Sequence, residues 1–372
     1  MLRICHLTSV HSRYDPRIFH KECTSLANAG YDVTLLVADG KPNEVRNGVK
    51  IMSINFRPKN RIDRILHSGA KLLDKALEID AEIYHLHDPE LLPLGKKLKK
   101  RGKRVIFDSH ENVVEDIAEK QWIPVLLRRL ISKFYSVYAD RVLKKFDGII
   151  GVTPVLVDKL REINRSVAMI TNYPITHDTV EKHVGVKYIN PTIVFAGGIK
   201  EDWCHENILN AISEINVRYV IMGPSEDKYL DRLSNNVSWS KVRYLGVVPP
   251  ETVKKQLKNS HIGVAISKYL RNTSGKIGTL GNTKLFEVMM AGLPVICTNF
   301  ILWQQIIDKY HCGITVNPEN IDEITNAVHY LLEHPQEAKQ MGENGRKGVE
   351  EEFNWSTQEK VLLEFYKRIE SN

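Results

Sequence analysis

The sequence predicts an α/β protein built from two doubly wound, Rossmann-like domains facing a cleft. Short apolar runs alternate with helical stripes from end to end, the pattern of parallel strands covered on both faces. The alternation runs twice. It is interrupted by the polar, strand-poor segment Asn172–Pro191, which carries Pro174, Gly185 and Pro191. With 372 residues the chain has the length for two ordinary domains.

In the first half, strands are expected at residues 2–8, 32–38, 49–54, 82–86, 104–108, 148–152 and 167–170. Helical periodicity fills the gaps at 16–29, 62–79, 89–101, 123–146 and 153–163. The second half repeats the scheme. Strands fall at 192–196, 217–222, 242–245, 262–266, 294–298 and 313–316, with helices at 205–214, 226–235, 250–258, 283–291, 301–308 and 320–333. The expected domains are residues 1–175 and 188–354. The chain is helical again from Pro335, with an interruption around Phe353-Asn354-Trp355. Val361, Leu362, Phe365, Tyr366 and Ile369 then form an apolar stripe that must pack on something. Either residues 355–372 cross back onto the first domain, or they stay on their own.

Composition narrows the class. A hydrophobic content of 42% and a charged content of 26% suit a soluble globular protein. No apolar run approaches about 18 residues, so no transmembrane helix is expected. Leu2, Ile4 and Leu7 open on a strand pattern without the form of a signal peptide. The five scattered cysteines (Cys5, Cys23, Cys204, Cys297, Cys312) form no CxxC pair. They read as reduced, mostly buried thiols of a cytoplasmic protein. The net charge of +7 is uneven, with a dense basic block at Lys96–Arg104. That block is either a solvated helix end or an attraction for anionic lipid head groups or a phosphate-bearing acceptor. Nucleic acid is not expected as a partner, since no recognisable binding module accompanies the block.

The most informative stretch is Asn282–Ile296, NTKLFEVMMAGLPVI. Asn282 or Thr283 can cap a helix, Gly292 and Pro294 end it, and Val295-Ile296 begin a strand. Lys284 falls in the first turn and Glu287 one turn on, along the same face. A lysine at a helix start suits a phosphate, and a nearby carboxylate can accept two ribose hydroxyls. Together they suggest a nucleotide diphosphate site.

Four loops follow predicted strands. In His11–Arg17, Asp15 and Pro16 suit a helix start, while Arg13, Tyr14 and Arg17 are candidates to contact an acceptor. His85-Leu86-His87-Asp88-Pro89 places two histidines on one side of a strand. Asp108-Ser109-His110-Glu111 follows the strand Val105–Phe107. Neighbouring strands would gather these histidines and acids. Two readings stay open, a metal site and sugar recognition, beside one of caps and satisfied buried groups. His85 is expected to be buried without a catalytic role, and His110 to lie in the cleft. The fourth loop, Gly197-Gly198-Ile199, lets a backbone approach a ligand. The long basic loop from Ser267 to Asn282 carries Arg271, Gly275, Lys276, Gly278 and Gly281, and is a candidate cover for phosphates. Neither G-x-G-x-x-G nor G-x-x-x-x-G-K-[ST] is present in the required context.

On these segments the chain resembles the retaining glycosyltransferases of the GT-B fold, family 4. The resemblance rests on HSRYDPRIFHKECTSLANAGYDVTLLV, YHLHDPELLPLG, VIFDSHE, FAGGI, VRYLGVVPPETV and GNTKLFEVMMAGLPVI. It implies transfer of a sugar from a UDP- or GDP-sugar to a glycan or polyprenyl-phosphate-linked acceptor in cell-surface polysaccharide biosynthesis, with no metal or other cofactor. Glu287 would hold the ribose; Lys284 and the helix start with Asn282, Thr283 and Leu285 would hold the diphosphate. Val247 or Val248 would meet the base, and Gly197, Gly198, Ser267, Arg271 and Lys276 would complete the donor site. His110 would sit by the transferred sugar, giving His110, Lys284 and Glu287 catalytic roles. Arg13, Tyr14, Arg17, His87, Asp88, His110 and Glu111 would form the acceptor side. The chain departs from the family pattern at three positions. Thr279 replaces an acid common eight residues before Glu287, and Gly198 and Trp203 stand where many members carry arginine and lysine.

Residues 122–145 mix apolar and basic side chains at helical spacing. Such a helix can lie in a membrane surface or pack on a core with a charged rim. The alternative activities are a metal-dependent hydrolase built on His85, His87, Asp88, Asp108 and His110, nucleotide-sugar epimerisation, or a non-catalytic nucleotide-sugar-binding protein.

Overall fold

A computed structural model describes residues 1–60, 63–110, 113–119, 124–176 and 191–371. It divides into two compact units, Met1–Asn172 with Ser356–Asn372, and Tyr173–Trp355.

The first unit carries β1 (Arg3–Leu7), β2 (Asp32–Val37), β3 (Glu44–Arg46), β4 (Val49–Ser53), β5 (Ile83–Leu86), β6 (Arg104–Ser109), β7 (Gly148–Gly151) and β8 (Val167–Met169). They form one sheet in the order β3-β4-β2-β1-β5-β6-β7-β8. All neighbours are parallel except β3 and β4. The helices are α1 (Thr24–Asn28), entered through a π-helical turn at Ile18–Cys23, then α2 (Gly69–Ile79), α3 (Leu92–Lys100), α4 (Val113–Glu119), α5 (Val125–Leu143) and α6 (Pro154–Ile163). β5 is buried at every residue, as a central parallel strand covered on both faces must be. Thr153 caps α6 by accepting from the Leu156 amide, with Pro154 as the first helical residue.

The sequence reading placed β4 but not β3. Asn47 and Gly48 both have positive φ and turn β3 into β4. Asn-Gly is the strongest short hairpin signal, so β3 could have been found.

The second unit holds β9 (Thr192–Ala196), β10 (Arg218–Met222), β11 (Val242–Tyr244), β12 (Ile262–Ala265), β13 (Val295–Thr298) and β14 (Gly313–Val316). This sheet is wholly parallel, in the order β11-β10-β9-β12-β13-β14. Its helices are α7 (His205–Ala211), α8 (Asp227–Ser234), α9 (Pro250–Lys258), α10 (Lys284–Met290), α11 (Ile301–Tyr310), α12 (Ile321–Glu333) and α13 (Pro335–Glu351). Two apolar layers clothe it. One is centred on Ile208, Ile324 and Leu331, the other on Phe286, Met289 and Trp303.

The last helix, α14 (Trp355–Ser371), belongs to the first unit from Ser356 onward. Leu362, Phe365, Tyr366 and Ile369 are fully buried, so the apolar stripe crosses back. Gly148 in β7 makes room for it, because a Cβ there would come within 2.4 Å of the Phe365 ring. Phe365→Ala should therefore cost about 3–5 kcal/mol in denaturant unfolding; a loss below about 1 kcal/mol would show that α14 is not integral to the unit.

Candidate functional site

Each sheet reverses its winding once. In the first unit the reversal lies between β1 and β5, in the second between β9 and β12. Open α/β sheets bind ligands at the carboxyl ends of strands beside such a switch. The loops at those ends start at Thr8, His87, Gly197 and Ile266.

In the first unit the switch gathers imidazoles. His6 on β1 stands in register with His85 on β5. The His85 and His87 rings stack with centroids 4.5 Å apart, and His6 lies 4.4 Å from His85. His87 Nδ1 is 3.3 Å from His110 Nε2, which in turn meets Asp108 at 3.2 Å. Burial pushes the His87 pKa down to about 4, against the pull of Asp108. Burial also pushes His6 and His85 well below the usual imidazole range, which favours their neutral forms. His110 and His11 keep partly exposed side chains. Burial opposes charge on His11, but the Asp15 hydrogen bond and the Asp88 charge raise its pKa.

Several of the expected acceptor residues are engaged with protein groups in this packing. Arg13 is buried and paired with Asp39 at 2.7 Å and Glu44 at 2.5 Å, latching its loop to the sheet edge. Arg17 is buried between Asp108 and Glu22, each at 2.9 Å, and also donates to the Ile170 carbonyl. Tyr14, partly exposed, donates to Glu44. His87 is buried. Asp88 is buried too, accepting from the Thr8 hydroxyl at 2.9 Å and the Ser9 amide. Its side chain does not cap the helix that follows, whereas Asp15 does accept from the Arg17 and Ile18 amides. Arg13, Arg17, His87 and Asp88 are thus buried in the loop floor and engaged with other protein groups. Glu111 lies outside the described residues. His6, Glu22 and Tyr366 join the cluster without having been singled out as site residues.

In the second unit the Lys284 side chain crosses over Gly197. A Cβ at Gly197, whose φ is 151°, would fall 2.1 Å from Lys284 Cε. The ammonium rests 4.3 Å from the centre of the Trp203 ring, a cation–π distance. Burial lowers its pKa, while Glu287 opposes that. Asn282 Oδ1 accepts from the Lys284 amide at 3.1 Å, and the Thr283 side chain makes no cap bond. The Glu287 carboxylate has no hydrogen-bond or ion-pair partner among the described residues. The Leu285 side chain is fully buried, leaving only its backbone for a ligand. The Gly197 and Ile199 amides are already bonded to Met222 and Pro224, whereas the Gly198 N–H meets no backbone carbonyl among the described residues.

The remaining donor candidates divide by exposure. Val247 is exposed and Val248 half-buried, beside Gly246, whose carbonyl accepts from Gly223. Ser267 is buried and exchanges hydrogen bonds with Thr298. Arg271 and Lys276 lie in two short 3-10 turns, with the Lys276 ammonium 5.6 Å from the Tyr269 ring centre. Thr279 is tied down through its carbonyl, which accepts from the Trp303 indole at 2.8 Å.

His205, under the same site, accepts or donates at 2.9 Å to the Tyr219 hydroxyl. Burial lowers its pKa to about 3. The unfolded imidazole titrates near ~6.5, so the unfolded chain binds the extra proton first as the pH falls. Stability from this group is complete above about pH 6.5 and is lost toward pH 3. His205→Gln should flatten the acid decline of the melting temperature over that window; an unchanged decline would remove His205 from its causes.

Comparisons with known proteins agree with this geometry. The model described as "Glycosyl transferases group 1" matches residues 181–348. "Glycosyl transferase 4-like domain" matches residues 17–172. An uncharacterised glycosyltransferase of Methanocaldococcus jannaschii is 20% identical over 289 residues, 73% of this chain and 70% of that one. Sucrose-phosphate synthase from Thermosynechococcus elongatus aligns over 100% of both chains with a TM-score of 0.77 and 15% identity. Anabaena HepE, solved with UDP and glucose, aligns over 99% of this chain and 100% of its own, with a TM-score of 0.72 and 10% identity. The chain belongs to the group 1 glycosyltransferases and has the GT-B fold.

Proposed function

We propose that the chain moves a sugar from a UDP- or GDP-sugar to a glycan or lipid-linked acceptor, with retention of anomeric configuration, in cell-surface polysaccharide biosynthesis. The observation that carries this reading is the adjacent Lys284 ammonium and unpartnered Glu287 carboxylate at the sheet's switch point. A carboxylate without a protein partner is ready to accept the two hydroxyl hydrogens of a ribose. A partly desolvated ammonium is ready for the diphosphate, because its lost hydration is restored by an anion. HepE was solved with UDP, which supports a uridine nucleotide.

Breaking the glycosyl–phosphate bond builds negative charge on the leaving phosphate. Lys284 and the Gly198 amide supply positive potential in place before that charge forms. Arg271 and Lys276 extend it from the loop. Trp203, standing where many members have lysine, holds the Lys284 ammonium by its ring face instead. The leaving phosphate takes the acceptor proton on the same face, so no protein nucleophile is required. His110, steadied by Asp108, holds a hydroxyl of the transferred sugar. No metal is expected in this chemistry.

The acceptor side is proposed to meet a membrane. α5 exposes Leu127, Leu130, Ile131, Phe134, Val137 and Tyr138, while Ala139, Val142 and Leu143 face the core. Exposed Arg129, Lys133, Arg141, Lys144 and Lys145 accompany that outer face. In the basic block Lys99 is paired with Asp147 and Lys103 with Asp80, but Lys96, Lys97 and Lys100 are exposed and have no ion-pair partner among the described residues. Apolar residues beside lysine and arginine suit an anionic lipid surface. Among the described residues no helix is long and apolar enough to cross a membrane.

Glu287→Ala should lower kcat/KM for sugar transfer by about 100-fold or more while circular dichroism stays unchanged; full activity in a folded variant would refute the donor site. UDP or GDP should raise the melting temperature of the wild type by mass action and do so less in Glu287→Ala. The protein should sediment with phosphatidylglycerol vesicles at low salt and not with phosphatidylcholine vesicles, and Phe134→Ser should weaken that binding. Indifference to the anionic vesicles would end the membrane reading.

A further inference from the structure

The buried histidine cluster contains more than the transfer reaction uses. His6, Glu22, His85 and His87 each offer one ligand atom, all within 4.8 Å of one another, and all four residues are buried. We propose that these four side chains form a structural binding site for a divalent transition metal of the zinc type. The site would join β1, β5 and the π-helical turn at Ile18–Cys23.

The hydrogen bonding sorts the ring nitrogens into two sets. His85 Nδ1 meets the Tyr366 hydroxyl at 2.8 Å, and His6 Nε2 meets the same hydroxyl at 3.2 Å. His87 Nδ1 faces His110 at 3.3 Å and Asp108 at 3.6 Å. Each outer nitrogen thus has a partner that can fix it as the N–H. That is the arrangement found behind metal-bound imidazoles. The opposite nitrogens converge. His85 Nε2 is buried with no hydrogen-bond partner. His6 Nδ1 and His87 Nε2 lie 2.9 Å apart. Glu22 Oε2 is 4.0 Å from His87 Nε2 and has no hydrogen bond, while Oε1 is paired with Arg17 Nε at 2.9 Å.

Ligand atoms around tetrahedral zinc sit about 3.3 Å apart. The 2.9 Å and 4.0 Å separations bracket that value, so modest side-chain adjustment admits the ion. Three imidazoles and one carboxylate match the ligands zinc accepts. With four protein ligands the site is closed, which assigns it a structural role. Charge agrees as well. Arg17 faces two buried carboxylates, Asp108 and Glu22, so one negative charge remains when both are ionised. On binding, the proton between His6 Nδ1 and His87 Nε2 is replaced by one on the outer nitrogen of the same ring, a change of tautomer without net proton loss, while any proton on Glu22 leaves to solvent. A Glu22 proton shared with Asp108 is the rival occupant of the same space. His87, Asp108 and His110 form a second, overlapping group, but its atoms already bond to one another.

The test uses the full purified chain loaded with Zn²⁺, then stripped by a strong chelator and reloaded with Co²⁺. The expected result is about one metal ion per chain, a melting temperature that falls on stripping and recovers with Zn²⁺, and the visible bands of tetrahedral cobalt. Glu22→Gln and His85→Gln should lose those bands. Tyr366→Phe, which alters no ligand, should bind about 10–100-fold more weakly. Absence of bound metal and of cobalt bands in the folded wild type would overturn the proposal and leave Glu22 a protonated acid. Bands that persist in both ligand variants would also overturn it, by placing the ion elsewhere. None of these readouts depends on sugar transfer, so the proposal stands or falls apart from the donor site.

Discussion

Parallel strands need right-handed crossovers, and that constraint shapes both units. A sheet that grows outward in both directions from its first strand must send successive connections to opposite faces. At the reversal, the loops leaving two adjacent strands turn away from each other and leave their carboxyl ends open. Between β1 and β5 that opening holds His11, His87, Asp88 and, one strand further, His110. Between β9 and β12 it holds Gly197, Ser267 and the side chains that α10 brings over them.

The two openings are furnished differently. The first is floored by charge buried beneath neutral rings. Arg17 spans Asp108 and Glu22, and holds Asp108 ionised despite burial that opposes it. A buried pair of this kind adds little net stability against an apolar alternative, but losing one partner strands the other. Its value here is positional. Asp108 orients His110, while Asp88 ties the two loops of the switch together through Thr8 and Ser9. The second opening holds two charged groups, Lys284 and Glu287, that form no ion pair with each other within 4.0 Å. Lys284 lies on aromatic carbon and feels the Glu287 charge, and the Glu287 carboxylate accepts no hydrogen bond among the described residues.

Much of this was legible in single segments. Apolar alternation marked nearly all of the strands, because each is short and continuous. The Asn282–Ile296 frame was legible because cap, turn and strand are adjacent in sequence. Its helix is shorter than expected, and Asn282 rather than Thr283 meets the first amide. The roles of Arg13 and Arg17 were not legible. Both arginines sit in a loop pattern equally suited to ligand contact, and their acids, Asp39 and Asp108, are far along the chain. Tyr366 joins His6 from 360 residues away, and no local pattern records that distance.

Sequence by itself determined the doubly wound class, the two-part organisation and the helix that carries Lys284 and Glu287, since these depend on periodicity and spacing within a few turns of chain. Only tertiary structure decided which polar side chains remain available. That depends on which carboxylate, carbonyl or ring arrives from another strand, and burial makes each such pairing too costly to leave incomplete.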